Sequence, residues 1–215
     1  MNCCAHNQGL QGIFDEQNAR AELKDYWRKG LDKHARRMVA AANARGVAGA
    51  TVLEVGAGVG GLHAELLRRG AARAMDVDVS SAYLAAAQQI SEKLGLRQKV
   101  EYRNADFAAE AASVPPADVV IMHRVVCCYP DMPGLVAAAA QHARRALVLS
   151  FPRAAWYTRL FFGGANLWMR LTGSGFRIYV HDPAQITATA QSAGMRLAEN
   201  QSSWPWQIVA FERAA

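Results

Sequence analysis

The sequence has no hydrophobic run long enough to cross a membrane. Its longest aromatic-rich apolar run, Leu160 to Met169, lies between Arg159 and Arg170. As a helix this run would extend about 15 Å, half of what a bilayer core requires. The first eight residues also lack the basic segment and apolar stretch of a signal peptide. We therefore expect a cytoplasmic protein without stable membrane insertion.

The sequence has few cysteines, and their spacing is not that of a metal site. The four cysteines form two adjacent pairs, Cys3-Cys4 and Cys127-Cys128. Neighbouring cysteines rarely bridge each other, and neither pair has the C-x-x-C spacing of a zinc ribbon. The sequence thus predicts no disulfide scaffold and no resident metal site. One alternative stays open: if the two pairs meet, four thiols would suit a thiophilic acceptor such as trivalent arsenic.

The chain also lacks a basic tract. Its 24 Lys and Arg against 18 Asp and Glu give a formal charge of +6, but the basic residues are scattered. No basic run is interleaved with aromatics, so we expect no nucleic-acid partner. A length of 215 residues, 52% of them hydrophobic, fits a single domain with one large core.

What the chain does contain is a regular alternation of strand and helix from residue 51 to 194. This alternation predicts an α/β fold with a mostly parallel sheet covered by helices on both faces. The tail adds two strands that read as an antiparallel hairpin, 195–200 and 207–212. We expect four parts in the single domain: a helical lid (1–45), a cofactor-binding core (46–151), a substrate-side insertion (152–182), and a final helix and hairpin (183–215).

The most informative stretch is Thr51 to Gly61, an apolar strand that enters a glycine-rich turn. Glycines at 56, 58 and 60 let the backbone approach a ligand closely, and the following helix aims free N–H groups at it. The pattern is compatible with a dinucleotide, with Asp78 about 20 residues on. The carboxylate of Glu54 favours a cationic ligand instead, because it would repel a pyrophosphate. The alternative is that Glu54 only orders the turn.

Two further strand ends carry acidic residues in the same order as a known family. Met75 to Ser80 and Asn104 to Phe107 follow the second and third strands. With the glycine loop, these motifs resemble those of class I S-adenosylmethionine-dependent methyltransferases, a family with a seven-stranded Rossmann-like sheet. The resemblance implies that Asp78 holds the ribose hydroxyls and Asp106 the adenine amino group. The cofactor site that it implies comprises Glu54, Gly56, Ala57, Gly58, Gly60, Asp78, Val79, Asp106, Phe107 and His123.

The insertion is similar to that of magnesium-protoporphyrin O-methyltransferase-like proteins and of small-molecule methyltransferases. The resemblance implies a small-molecule acceptor, with Tyr26, Cys128, Tyr129 and His181 as candidate substrate residues. Tyr129 and His123 are the catalytic candidates. His123 would serve as a base if the acceptor needs one, or it would contact the cofactor or orient its loop. The segment from Met122 to Pro130 lacks the Asn-Pro-Pro-Tyr type motif, which disfavours nucleic-acid bases as acceptors.

Two other functions compete with methyl transfer. A nicotinamide-dependent short-chain oxidoreductase needs a Tyr-x-x-x-Lys pair, and none of the six tyrosines is followed by lysine at that spacing. A non-catalytic cofactor-binding module stays open. The apolar side chains of the insertion, which recur at helical spacing, are expected to cover an apolar substrate or to form a homodimer contact.

Overall fold

The computed structural model describes Leu10 and residues 12–214, which form one seven-stranded sheet with helices on both faces. The strand order is β3-β2-β1-β4-β5-β7-β6. Strands β1 to β5 run parallel, and β7 pairs antiparallel with both β5 and β6. The predicted Rossmann-like sheet with a C-terminal antiparallel hairpin is confirmed.

The strands are, in chain order, β1 (Thr51–Val55), β2 (Arg73–Asp78), β3 (Val100–Asn104), β4 (Ala117–His123), β5 (Ala143–Pro152), β6 (Met195–Ser203) and β7 (Trp206–Arg213). The helices are α1 (Glu16–Lys29), α2 (Lys33–Asn43), α3 (Gly61–Arg68), α4 (Ser81–Lys93), α5 (Phe107–Glu110), α6 (Met132–His142), α7 (Trp156–Leu171) and α8 (Pro183–Ser192). Short 3₁₀ turns occupy Arg97–Lys99, Ala111–Ser113 and Val126–Cys128.

Both faces of the sheet are buried. On β4, Val119 and Ile121 pack into one hydrophobic cluster, and Val120 and Met122 pack into the other. Successive side chains of a strand point to opposite faces, so an apolar run of this kind needs a helical layer on each side. Helices α2, α3 and α4 cover one face, and α5, α6 and α8 cover the other.

The boundary between α6 and β5 differs from the one that the sequence favours. The sequence pattern predicts a helix to about Arg144 and a strand from Ala146, but α6 ends at His142 and β5 begins at Ala143. Residues from Ala146 onward pair with β7, and Ala143 already pairs with β4. The hydrogen bonds of the central sheet therefore extend β5 through two exposed arginines that suit a helix equally well.

Two helices sit apart from the main layers. Helix α1 buries only Ala19, packs on α4 and lies beside the glycine turn. Helix α7 buries only Thr158 and Phe162. Among the described residues, no helix combines the length and the hydropathy that a bilayer crossing demands.

Candidate active site

A cavity of about 730 Å³ opens where the carboxyl ends of β1, β2, β3 and β4 meet. Ligands bind at this edge of open α/β sheets, because the loops that leave neighbouring strands diverge there. Helix α1 contributes the opposite wall through Glu22, Asp25, Tyr26 and Lys29. The volume lies within the range of small-molecule sites.

The glycine turn brings bare backbone to the cavity. Gly56, Gly58 and Gly60 have φ of 63°, 58° and 77°, a left-handed conformation that other residues rarely adopt. A Cβ on Gly56 would lie 2.6 Å from Cγ2 of Val125. Of the predicted cofactor residues in this turn, Gly56, Ala57 and Gly58 line the cavity. Gly60 does not; it caps α3 and packs against His63 and Ala87.

The predicted contact of Glu54 with the cofactor is corrected by the structure. Glu54 is fully buried and absent from the cavity wall. Its Oε2 accepts hydrogen bonds from the backbone N–H of His63 at 2.9 Å and pairs with His63 Nδ1 at 2.8 Å. Both contacts tie β1 to the first turn of α3. The carboxylate thus orders the glycine turn from beneath, which is the alternative that the sequence left open.

Asp78 ends β2 on the cavity wall. Its Oδ1 accepts a hydrogen bond from the backbone N–H of Ser80 at 2.8 Å. Burial raises the pKa of Asp78 to about 6. Val79 lines the cavity beside it. Asp76, two residues earlier, is fully buried off the cavity, and burial together with the nearby Glu54 raises its pKa well above the usual range.

Asp106 follows β3 and caps α5. Its Oδ1 accepts from the backbone N–H of Ala108 at 3.1 Å, and the hydroxyl of Tyr129 lies 3.4 Å from each of its carboxylate oxygens. Phe107 lines the cavity next to it. Asp78 and Asp106 therefore present acceptor oxygens from neighbouring strand ends, the arrangement that can hold a ribose and an adenine.

His123 ends β4 on the same wall. Burial and the adjacent Arg124 lower the pKa of His123 to about 3, so its imidazole is neutral. The buried hydroxyl of Ser150 lies 2.8 Å from His123 Nδ1 and accepts from the Arg124 N–H at 2.9 Å. Among the described residues, His123 Nδ1 is the acceptor within hydrogen-bond distance of the buried Ser150 hydroxyl, so we assign this hydroxyl as the donor to Nδ1 and place the ring proton on Nε2.

The 3₁₀ turn after β4 adds Cys127, Cys128 and Tyr129 to the wall. The two Sγ atoms are 3.9 Å apart, and each lies 3.3 Å from the backbone oxygen of Arg124. Cys128 raises the pKa of the buried Cys127 thiol, and burial adds to this rise. Cys3 and Cys4 lie outside the described residues. Within the described part of the chain, no three His, Cys, Asp or Glu side chains form a group able to hold a metal.

Three of the four predicted substrate residues lie on the cavity wall, and the fourth supports the backbone of a wall residue. Tyr26, Cys128 and Tyr129 line the cavity. His181 does not; its Nε2 lies 3.0 Å from the backbone oxygen of Tyr129, and its ring stacks on Tyr179. His181 is therefore corrected from a substrate contact to a support of the Tyr129 backbone.

Sequence reasoning missed Glu22. This residue lines the cavity, and its Oε2 lies 3.8 Å from the position of a Cβ on Gly58. Burial raises the pKa of Glu22, and a hydrogen bond to Tyr83 opposes that rise. Glu22 lies four residues before Tyr26, which places both side chains on the same face of the helix, and this spacing could have identified Glu22 from the sequence.

Arg124 was also missed. It has φ of 62°, its guanidinium donates to Asp32 at 2.6 Å, and it lies 4.9 Å over the ring of Trp206. All three side chains line the cavity. No sequence pattern predicts the left-handed conformation of Arg124. The backbone N–H of Arg124 donates to the hydroxyl of Ser150, a residue that is distant in the sequence.

Comparison with known proteins agrees with this geometry. Residues 52–147 match the model of the methyltransferase domain family, which spans β1 to the first half of β5. No curated protein gives a significant match to the sequence. The match covers slightly less than half of the chain and, together with the fold, supports a methyltransferase domain.

Solved structures share the fold at low sequence identity. Magnesium protoporphyrin IX methyltransferase from Synechocystis PCC 6803 with bound S-adenosylhomocysteine is 22% identical, with a TM-score of 0.76, over 97% of this chain and 100% of that one. An O-methyltransferase family protein from Burkholderia thailandensis is 18% identical, with a TM-score of 0.69, over 94% of this chain and 64% of that one. A second structure of the Synechocystis enzyme has S-adenosylmethionine bound, at 21% identity and a TM-score of 0.71.

Proposed function

We propose that this chain transfers a methyl group from S-adenosylmethionine to a small-molecule acceptor that binds in the cavity beside Cys128, Tyr129 and His123. The observation that supports this proposal is that one cavity of about 730 Å³ has a side suited to the cofactor and a side suited to the acceptor. The glycine turn, Asp78 and Asp106 form one side, and the β4 end with Trp206 forms the other. Helix α1 encloses this space, which suits a compact ligand better than a polymer.

The cofactor supplies a sulfonium-activated methyl group, so positioning supplies much of the catalysis. On this proposal, Asp78 and Asp106 accept hydrogen bonds from the ribose and the adenine. Glu22, on the lid side of the glycine turn, supplies the negative charge that the sequence analysis assigned to Glu54. Its location near Gly58 fits the ammonium end of the cofactor.

On the acceptor side, we assign His123 a hydrogen-bond donor role rather than that of a base. Its Nδ1 is occupied by Ser150, and its low pKa makes it a weak proton acceptor. Nε2–H is then free to orient the acceptor or the cofactor. Tyr129, held against Asp106 and supported by His181, lies between the two halves of the cavity.

We also propose the division of the chain into a lid, a core, an insertion and a C-terminal unit. Helix α1 has the position that a lid needs, because Tyr26 and Lys29 lie on the cavity wall. Helix α2, also in the predicted lid, packs on the sheet with Met38 and Val39 in the core. We therefore limit the proposed lid to α1, Glu16–Lys29.

The test is a screen of acceptors with a coupled assay for S-adenosylhomocysteine release. Small phenols, carboxylic acids and amines are compared with RNA, DNA and unfolded protein. We expect release that depends on one small-molecule class and falls at least tenfold in Tyr129→Phe or Cys128→Ala. Turnover with a polymer alone, unaffected by both substitutions, would contradict the proposal.

A further inference from the structure

Helix α7 presents an apolar face that nothing in the described structure covers. We call this face, with the neighbouring hairpin tip, the α7 aromatic surface: Trp156, Leu160, Phe161, Leu167, Trp168, Leu171 and Trp204. Trp156 is 76% exposed, Leu171 74% and Trp168 69%. Contiguous exposed apolar patches of this kind mark interaction sites on proteins.

The surface is continuous along the helix. At about 100° per residue, the exposed apolar side chains of α7 occupy an arc of about 140°. Thr158 and Phe162, the buried pair, lie on the opposite side and fix the helix to the molecule. The ring of Trp204 lies 6.4 Å from that of Phe161 and extends the surface onto the β6–β7 turn.

Positive charge borders this surface and negative charge is absent from it. No Asp or Glu occurs between Asp131 and Asp182. Arg159 and Arg170 lie at one edge of the apolar arc, and Arg153 and Arg177 flank the helix in the chain; all four are exposed. Within the described residues, none of these four guanidinium groups has a carboxylate within 4.0 Å.

We propose that the α7 aromatic surface binds the surface of an anionic phospholipid bilayer. A helix with an aromatic face and arginines at its edge lies in the interface plane, with its rings at the headgroup boundary. Its 16 residues extend about 24 Å, too short for a span but sufficient for a contact of this kind. This proposal does not depend on the acceptor class proposed above.

A second copy of this chain fits the surface less well. A two-fold contact between two α7 helices brings the arginines of one copy to the arginines of the other. The segment 132–181 offers no carboxylate to neutralise them. An anionic leaflet supplies that charge and also accepts the aromatic rings.

The surface adjoins the cavity. Phe162, on the inner side of α7, lies 6.2 Å from the ring of Trp206, which is part of the cavity wall. The guanidinium of Arg124 lies 4.9 Å from the centroid of the same Trp206 ring. Docking through α7 would therefore bring the acceptor side of the cavity close to the bilayer.

The test is flotation of the purified full chain with vesicles of phosphatidylcholine alone or mixed with phosphatidylglycerol. We expect binding to the mixed vesicles that weakens as salt is added. The double variant Arg159→Gln with Arg170→Gln should bind them about 25-fold more weakly, because each basic residue near an anionic leaflet contributes roughly fivefold. Leu160→Gln with Trp168→Gln should lose at least tenfold in binding.

Trp27→Gln on α1 is the matched control, since this exposed tryptophan lies off both the α7 surface and the cavity wall. Stabilisation by S-adenosylhomocysteine should be retained in every variant, which shows that each is folded. The proposal is overturned if neither vesicle binds, or if binding is equal on both vesicles and indifferent to the arginine variant. It is also overturned if the wild type forms a dimer that the double variant Leu160→Gln with Trp168→Gln dissociates, and if the wild type does not bind vesicles.

Discussion

At the scale of single residues, the buried carboxylate of Asp78, which we propose binds the cofactor, lowers the stability of the ligand-free protein. Its pKa in the folded protein is about 6, above the reference value of 3.8. The folded state therefore binds a proton more readily than the unfolded chain, and stability is lost as pH rises through that interval. Above pH 6 the buried carboxylate is charged before any ligand arrives.

We predict that Asp78→Asn stabilises the ligand-free protein at pH 8 by up to about 3 kcal/mol, the equivalent of the pKa difference. At pH 4 the gain should be much smaller, because the wild-type carboxyl is then protonated. Urea unfolding at both pH values measures this. An equal loss of stability at both would show that the carboxylate is not the destabilising group.

The same titration governs the cofactor. Only the ionised carboxylate accepts hydrogen bonds from both ribose hydroxyls, so affinity for S-adenosylhomocysteine should fall as pH drops below about 6. Calorimetry from pH 8 to pH 5 should record about a tenfold rise in Kd. A constant Kd over this pH range would show that the carboxylate of Asp78 does not bind the ribose.

His123 supports a prediction that separates a donor from a base. Gln can donate a hydrogen bond in place of Nε2–H but cannot accept a proton, so His123→Gln should keep activity within about fivefold of wild type. Loss of a general base costs 10²- to 10⁴-fold, roughly, and removes its ionisation from the pH–rate profile. A loss in that range would restore the base role.

At the scale of elements, the glycine turn is the part of the site most sensitive to added atoms. Gly56→Ala forces an alanine into φ of 63° and places its Cβ 2.6 Å from Cγ2 of Val125. We expect a stability loss of about 1–3 kcal/mol and weaker cofactor binding. Thermal unfolding with and without S-adenosylhomocysteine measures both.

Gly163→Ala on α7 is the control for that substitution. Gly163 is exposed and helical, and a Cβ there meets no atom within 4 Å. Alanine should stabilise this position by about 0.5–1 kcal/mol. Gly56→Ala behaving like Gly163→Ala would show that the turn tolerates a side chain, against the geometry described.

Element types follow closely from the sequence, whereas the roles of polar groups do not. The apolar run of β4 and the glycines of the first turn both specify local structure by short-range rules. Glu54 was assigned to the ligand because its position in the motif is visible, but its partner His63 comes from the next helix. Glu22 and Arg124 reach the cavity only through tertiary packing, which no short pattern encodes.

At the scale of the whole molecule, Arg45 joins the end of α2 to the C-terminal hairpin. Its side chain is 7% exposed and lies 2.8 Å from Glu199 of β6 and 3.6 Å from Glu212 of β7. Arg45→Ala should cost about 1–2 kcal/mol of unfolding free energy, since both carboxylates are partly solvated. Arg20→Ala, in the exposed pair with Glu16, should change stability by less than about 0.5 kcal/mol. If denaturant titrations show equal losses of stability for Arg45→Ala and Arg20→Ala, Arg45 does not link α2 to the hairpin as described.

The mostly parallel sheet of the whole molecule was predictable, because alternating strands and helices leave few topologies. The surface of the insertion was not. Its helical stripe could face a substrate, a second copy or a bilayer, and spacing alone does not choose among them. The choice required the exposed rings of α7 and the absence of carboxylates around its arginines.

The central claim is that Asp78, on the cavity wall, holds the nucleoside of S-adenosylmethionine. Calorimetric titration of S-adenosylhomocysteine at pH 8 into the wild type, Asp78→Asn and Asp76→Asn tests it most directly. Asp76 is the matched control, buried on the same strand but off the cavity. We predict binding to the wild type and to Asp76→Asn, with at least a tenfold loss in Asp78→Asn and no binding of NAD or NADP. Undiminished binding to Asp78→Asn, or tight binding of a nicotinamide cofactor, would contradict the account.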